Sequence, residues 1–135
     1  EQYSCIVILQ PTSPLRSHRD IEGALQQFFE NELIALTSIC EIEHPIQWVN
    51  RLPSNKSMVN FISSDASNKR SQDLEKFYRL NGAINLIQWN YFLTNKTLQP
   101  KSKHESFLMP IERSVDIDNE FGAAFAEFLL KRRLK

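Results

Sequence analysis

The sequence predicts an α/β fold, because apolar runs typical of strands alternate with segments of helical periodicity. Residues 5–9 form an unbroken hydrophobic run, which is typical of a strand buried on both faces of a parallel sheet. Apolar residues then recur at helical spacing over residues 20–31, and residues 33–40 form a second strand-like run. The short connections between them predict a right-handed parallel crossover.

The composition favours one soluble domain's worth of chain. The sequence has 135 residues, zero formal net charge and two cysteines, Cys5 and Cys40, whose apolar surroundings predict buried reduced thiols. Charges of both signs are interspersed, so we expect no nucleic-acid partner, and no apolar run reaches membrane-spanning length. The basic cluster at residues 131–133 and 135 ends a predicted helix, where cations complement the dipole. A cytoplasmic location follows as the expectation.

A proline-bounded turn follows the first predicted strand. Residues 9–16 read Leu-Gln-Pro-Thr-Ser-Pro-Leu-Arg, and the two prolines force the chain to leave the strand in an extended conformation. This places Gln10 and its polar neighbours just past the carboxyl end of a strand, where open α/β sheets bind ligands. The alternative is an ordinary connection in which Ser17 caps the helix with Asp20 as its reciprocal partner.

The middle of the chain predicts an arm. From residue 41 to about residue 69 the periodicity is lost, and prolines, asparagines and serines accumulate. Trp48 and Phe61 in this segment are predicted to be exposed. An aromatic-bearing arm with little regular structure favours packing on a partner subunit.

Regular structure is predicted to return in the second half. The predicted elements are a strand at 83–87, a short helix at 88–95, strands at 107–109 and 115–117, and a helix at 120–133. The last helix carries Phe121, Phe125 and Phe128 on one face, which we predict to be core.

Two arginines and two aspartates are candidates for chemistry. Arg70 and Arg79 could grip a carboxylate or phosphate through the guanidinium fork, or Arg70 could simply pair with Asp73 and Arg79 could be a solvated flank. In a strand, Asp116 and Asp118 would face the same side and suit magnesium, which takes its other oxygens from a nucleotide and water. Alternatively, Asp118 caps the closing helix.

Five segments, in this order and spacing, carry a resemblance to one family. They are residues 9–16, residues 40–45, residues 70–72 (Arg-Ser-Gln), residues 79–84 (Arg-Leu-Asn-Gly-Ala-Ile) and residues 114–118 (Ser-Val-Asp-Ile-Asp). The chain resembles the C-terminal part of the acylneuraminate cytidylyltransferases, also called CMP-sialic acid synthetases.

The resemblance implies a Rossmann-like three-layer nucleotidyltransferase core without its N-terminal nucleotide-binding part. Residues 1–41 and 79–135 would form the core, and residues 42–78 would form an inserted dimerisation arm. The implied reaction is magnesium-dependent transfer of CMP from CTP to an acidic nine-carbon sugar, with release of pyrophosphate, by a homodimer.

The resemblance also implies roles for individual residues. Gln10 would contact the sugar, Arg70 would be the catalytic arginine, and Asp116 and Asp118 would hold Mg²⁺. Arg79 is the candidate for gripping the sugar's carboxylate, and Asn81 is a further candidate for substrate binding.

The chain also departs from that family's pattern. The family's basic phosphate-binding loop is absent, and none of the three glycines lies in such a loop. Asn85 stands where a tyrosine is usual, and Gly122 stands where a further aspartate is common. We therefore expect this chain alone to be catalytically silent or severely impaired. The alternative function is a truncated homologue that only folds and dimerises.

Overall fold

Four strands form one mixed sheet in the computed structural model, which describes residues 3–133. The strands are β1 (Cys5–Ile8), β2 (Ala35–Glu41), β3 (Tyr78–Gln88) and β4 (His104–Leu108), in the spatial order β1-β3-β2-β4. The helices are α1 (His18–Glu30), α2 (Ser64–Ser67), α3 (Trp89–Asn95) and α4 (Glu120–Arg133). The predicted α/β class is confirmed.

The strand directions bring three carboxyl ends to the same edge of the sheet. β1 pairs antiparallel with β3, and β2 pairs parallel with β4. The Gln88 amide donates to the Ile34 carbonyl at 2.9 Å and the Ile84 amide donates to the Ser38 hydroxyl at 2.8 Å, so β2 runs antiparallel to β3. β1, β2 and β4 therefore point the same way, and the segments that follow β1 and β4 leave from one edge.

The first helix begins where the sequence predicts a cap. The Ser17 hydroxyl accepts from the Asp20 amide at 3.3 Å, and the Asp20 carboxylate accepts from the Ser17 amide at 2.8 Å, which is a capping box. Apolar side chains of α1 pack on the sheet, because helical spacing places them on one face. The buried cluster contains Ala24, Phe28, Leu33, Leu36, Ala83, Ile84, Leu86 and Met109.

Two strand predictions are wrong. β1 is the outermost strand of the described sheet, and Val7 is 38% exposed, so β1 is not buried on both faces. Residues 115–117 form no strand. The backbone there is held by a bond from Ile117 to the turn after β1 rather than by a ladder.

The prediction that the phenylalanines of α4 are core is also wrong. Phe121, Phe125 and Phe128 are 81%, 44% and 53% exposed, whereas Ala126 is 2% exposed. The helix carries apolar residues on most of its circumference, so periodicity did not determine which face is covered.

The basic end of α4 makes contacts within the protein. Arg133 donates to the Leu15 carbonyl at 2.7 Å, and Lys131 pairs with Glu127 four residues earlier. Lys135 lies outside the described residues. No helix among residues 3–133 combines the length and the apolar character needed to cross a membrane.

The chain divides into two compact units, of which the second is Glu41–Arg79. This second unit contains α2 and short 3-10 turns at Ile46–Trp48 and Ser71–Asp73. Trp48 and Phe61, expected to be exposed, are half-buried. The function of the unit as a dimerisation arm stays a prediction.

The cysteines lie in the first unit. Cys40 is buried, and burial raises the pKa of the half-buried Cys5 thiol. Both cysteines are free within the described chain, so burial is as predicted for Cys40 and only partial for Cys5, and their redox state stays a prediction.

Candidate active site

The turn after β1 is held by its own arginine. The Ser13 amide donates to the Gln10 carbonyl at 3.3 Å, which closes the turn. Nη1 of Arg16 lies 2.5 Å from the Gln10 carbonyl oxygen, 3.0 Å from that of Ser13 and 3.4 Å from that of Ala83. Because three backbone carbonyls share one charged donor, the turn has a fixed shape against β3.

Gly82 in β3 allows the side chain of Gln10 to lie against the strand. Its φ is +69°, a conformation that favours glycine, and a Cβ at this position would overlap Oε1 of Gln10. The Gln10 residue is otherwise exposed, so its amide remains accessible to a ligand. The glycine therefore determines where this candidate contact residue can lie.

The acidic loop that follows β4 meets the turn directly. The Ile117 amide donates to the Thr12 carbonyl at 2.9 Å, between the two candidate aspartates, Asp116 and Asp118. This bond brings the backbones of the turn and of the acidic loop together.

The loop passes into α4 through a cap on Asn119. Oδ1 of Asn119 accepts from the Gly122 amide at 2.9 Å, so the predicted cap on Asp118 is wrong and Asn119 fills that position. A Cβ on Gly122 would lie 3.0 Å from the Asp116 carbonyl oxygen. The first turn of α4 therefore packs on the acidic loop, and its N-terminal dipole favours negative charge there.

Asp116 is the strongest candidate ligand for a cation. Its Oδ1 is buried and has no hydrogen-bond partner among the described residues, whereas Asp118 is exposed. A buried carboxylate oxygen without a donor is costly, and a cation would satisfy it. The free oxygen of Asp116 therefore makes this residue a candidate ligand for a divalent cation that takes its remaining ligands from phosphate and water. Within residues 3–133, no three His, Cys, Asp or Glu side chains group as a protein-only metal cage.

The strand alternation that predicted a shared side for the two aspartates does not apply, because residues 115–117 are not a strand. Their joint action on a metal stays a prediction.

Asn81 lies inside the protein. It is 1% exposed, its Nδ2 donates to the Ser114 hydroxyl at 2.9 Å, and its Oδ1 accepts from the Ser38 hydroxyl at 2.6 Å. A direct contact between Asn81 and a substrate stays a prediction.

The two candidate arginines belong to the second unit. Arg70 pairs with Asp73 at 3.0 Å, with 75% of its side chain exposed, as the simpler interpretation expected. Arg79 holds Glu43 with two donors, Nη2 at 2.6 Å and Nε at 3.3 Å. The hydrogen bonds from Arg79 are the main reason why the pKa of Glu43 lies below its ordinary value.

Sequence reasoning missed a partly buried ion pair next to the acidic loop. Arg113, which precedes the loop, binds Asp20 of α1 through Nη2 and Nε, each at 2.8 Å. Burial alone would raise the pKa of Asp20, but hydrogen bonds from Arg113 and Ser17 lower it below its ordinary value. The capping pattern identified Asp20 as a helix residue, but nothing local in the sequence indicates its partner 93 positions away.

Together the fold and the site define a mixed α/β domain in which a strand-to-helix turn and an acidic loop meet at one edge of the sheet. No known family profile matches the chain. Individual curated proteins do match it. The N-acylneuraminate cytidylyltransferase of Streptococcus agalactiae serotype V is 29% identical over an alignment of 133 positions, which covers 94% of this chain and 32% of that protein.

Two further relatives have similar coverage of this chain. The CMP-N,N'-diacetyllegionaminic acid synthase of Legionella pneumophila is 25% identical over 96% of this chain and 55% of its own length. Post-translational flagellin modification protein B of Campylobacter coli is 26% identical over 98% of this chain and 55% of its own length. These matches confirm the resemblance to acylneuraminate cytidylyltransferases. The chain spans about a third to about half of the length of these relatives.

Proposed function

We propose that this chain is the C-terminal part of a cytidylyltransferase that transfers CMP from CTP to an acidic nine-carbon sugar and releases pyrophosphate. The observation that carries the proposal is the contact between the turn and the acidic loop. The Ile117–Thr12 bond brings Gln10 and Asp116 onto neighbouring segments, and a buried oxygen of Asp116 has no donor among the described residues. The names of the relatives supply the reaction.

Catalysis of this reaction would require mainly the positioning of the two substrates and the neutralisation of negative charge. The sugar's anomeric hydroxyl must be held in line with the α-phosphate of CTP while pyrophosphate leaves. Magnesium, held by Asp116 and Asp118, would neutralise negative charge on the phosphate oxygens. Gln10 suits a sugar hydroxyl, because its exposed amide both donates and accepts.

We assign carboxylate binding and the catalytic arginine to the two arginines of the second unit. Arg79 would bind the sugar's carboxylate with its planar guanidinium, and this carboxylate would replace that of Glu43. Arg70 would act as the catalytic arginine from the arm, in exchange for Asp73.

The arm is proposed to form a homodimer. In the second unit, Leu52, Met58 and Val59 are 72%, 63% and 79% exposed, and apolar surface of this kind favours a protein partner. This observation also favours the second candidate function, a module that only folds and dimerises. Sedimentation equilibrium tests dimerisation, with Val59→Ser expected to shift the protein towards monomer.

Residues 1–135 alone are expected to be catalytically silent or severely impaired, because the family's basic phosphate loop is not in this sequence. Steady pyrophosphate release from the purified chain with CTP, Mg²⁺ and N-acetylneuraminic acid would contradict this expectation.

Calorimetric titration with CTP and Mg²⁺ tests the nucleotide site itself. Because the candidate metal ligands are in this chain and the basic phosphate loop is not, we expect weak Mg²⁺-dependent binding that Asp116→Asn and Asp118→Asn each weaken at least tenfold. Glu22→Gln, which removes one exposed acid from α1, is the matched control and should bind as the wild type does. Absence of binding, or equal binding by all four proteins, would favour the dimerisation module.

A further inference from the structure

We propose that Asn81 is a positioning residue, which holds the acidic loop of residues 114–119 through its buried carboxamide and the turn of residues 10–16 through its main-chain carbonyl. The inference rests on the proposed function only for the identity of the groups that are positioned. The contacts themselves are a property of the fold.

Every hydrogen-bonding position of the Asn81 carboxamide is used inside the protein. Oδ1 accepts from the Ser38 hydroxyl at 2.6 Å and from the Ala83 amide at 3.2 Å. Nδ2 donates to the Ser114 hydroxyl at 2.9 Å and to the Met109 sulfur at 3.5 Å. A fully satisfied buried amide resists rearrangement, because each partner it lost would be left desolvated.

One branch of this network leads to the acidic loop. The Ser114 hydroxyl accepts from Asn81 and donates to the Pro110 carbonyl at 2.7 Å. It therefore fixes the start of the loop two residues before Asp116.

The main chain of the same residue contacts the turn after β1. The Ser13 hydroxyl donates to the main-chain carbonyl of Asn81 at 3.3 Å, and Gly82, the next residue, is the one that Gln10 lies against. A single residue in β3 is thus bonded to both segments that carry the candidate contacts of the first unit. Neighbouring buried positions of β3 are apolar, such as Ile84 and Leu86, so burial alone does not require an amide here.

Amide hydrogen exchange measured by NMR tests this role without any ligand. The Ile117 amide reports the contact between loop and turn, because it donates to the Thr12 carbonyl. Asn81→Asp keeps the shape but replaces the donor to Ser114 with an acceptor. We expect Ile117 to exchange at least tenfold faster in this variant, relative to the slowest sheet amides of the same protein.

Ile87→Val is the control, because it removes a methyl group from a buried residue of the same strand without touching either segment. It should change Ile117 and the sheet amides by the same factor. If Asn81→Asp does not fold, Ser114→Ala is measured instead. In that variant the Ile117 amide should exchange at least threefold faster relative to the sheet amides.

The role is overturned if Ile117 and the sheet amides accelerate equally, if neither changes, or if Ile117 is unprotected in the wild type. Selective acceleration in a protein that binds no CTP would overturn the proposed function and leave the positioning role standing.

Discussion

The guanidinium of Arg113 donates to both carboxylate oxygens of Asp20, which ties the segment before the acidic loop to the N-terminus of α1. Asp20 is 4% exposed and also completes the capping box with Ser17. One carboxylate thus serves the start of a helix and the support of the candidate site.

Removing the arginine should destabilise the protein. Arg113→Met is expected to cost about 2 kcal/mol of unfolding free energy, less than the roughly 3–5 kcal/mol for a fully buried pair, because Arg113 keeps about a third of its side chain exposed. Urea denaturation at pH 7 measures this, with Arg19→Met on the exposed side of α1 as the control that should change nothing. An equal loss in both variants would contradict the assignment.

The same pair predicts a pH dependence. The pKa of Asp20 is lower in the folded than in the unfolded state, so the unfolded state binds more protons in that range and stability rises with pH. The contribution is fully present above the ordinary aspartate pKa of about 4 and is lost as pH falls through the folded value. The stability difference between wild type and Arg113→Met should therefore shrink below about pH 4. A difference that stays constant down to pH 2 would show that Asp20 does not titrate with Arg113.

Gly82→Ala should disturb both the strand and Gln10. A non-glycine residue at a φ of +69° costs about 1–2 kcal/mol, and the new Cβ would displace the Gln10 side chain. The double variant Gln10→Ala/Gly82→Ala separates the two effects, because it removes the overlap but keeps the backbone strain. In urea denaturation, the double variant should lose less unfolding free energy than the sum of the losses of the two single variants. Strict additivity would mean that Gln10 does not lie against the glycine.

Glu43→Gln should strengthen binding of an acidic sugar, if the proposed function holds. The variant removes the carboxylate that occupies the fork of Arg79, and we expect about threefold tighter binding of N-acetylneuraminic acid by calorimetry, or about 0.6 kcal/mol. The loss of stability should be below about 1 kcal/mol, since both side chains are partly exposed. Glu75→Gln, an exposed acid of the same unit, is the control. Weaker binding by Glu43→Gln would instead show that Glu43 holds Arg79 in its working orientation.

Phe121→Ser tests whether this face of α4 is covered in the isolated chain. Phe121 is 81% exposed, so the substitution should change unfolding free energy by less than about 0.5 kcal/mol. Ala126→Leu, on the buried side of the same helix, should cost about 1–3 kcal/mol by overpacking. Urea denaturation of both variants distinguishes the two faces, and a loss of about 3 kcal/mol or more for Phe121→Ser would restore the core assignment.

Local signals predicted most of the secondary structure. The capping box at Ser17 and Asp20 and the closing helix over residues 120–133 were found where the sequence indicated them. These features depend on residues within a few positions of one another, so their pattern is visible in a short window. The wrong strand at residues 115–117 had a strand-like pattern too, but that segment has no ladder partner among the described residues.

The candidate site was only partly predictable for the same reason. The prolines after β1 and the acids before α4 could be recognised as motifs, and the contact between Ile117 and Thr12 joins them. The support of the site could not be recognised, because Arg113 and Asn81 act on partners far away in sequence. The polar neighbours of Gln10 were expected to face a ligand, but one of them, Arg16, donates to backbone carbonyls of the turn.

The sequence by itself determined the positions of the main helices and of the strands of the sheet, because backbone preferences and side-chain periodicity are local. Only the tertiary structure decided which faces of these elements are covered. Asn81 is buried within a closed set of hydrogen bonds, although it was a candidate for substrate contact. Phe121 is exposed, although it was predicted to be core. The physical reason is that burial depends on the surface a residue meets after the chain folds, and that surface comes from distant parts of the chain.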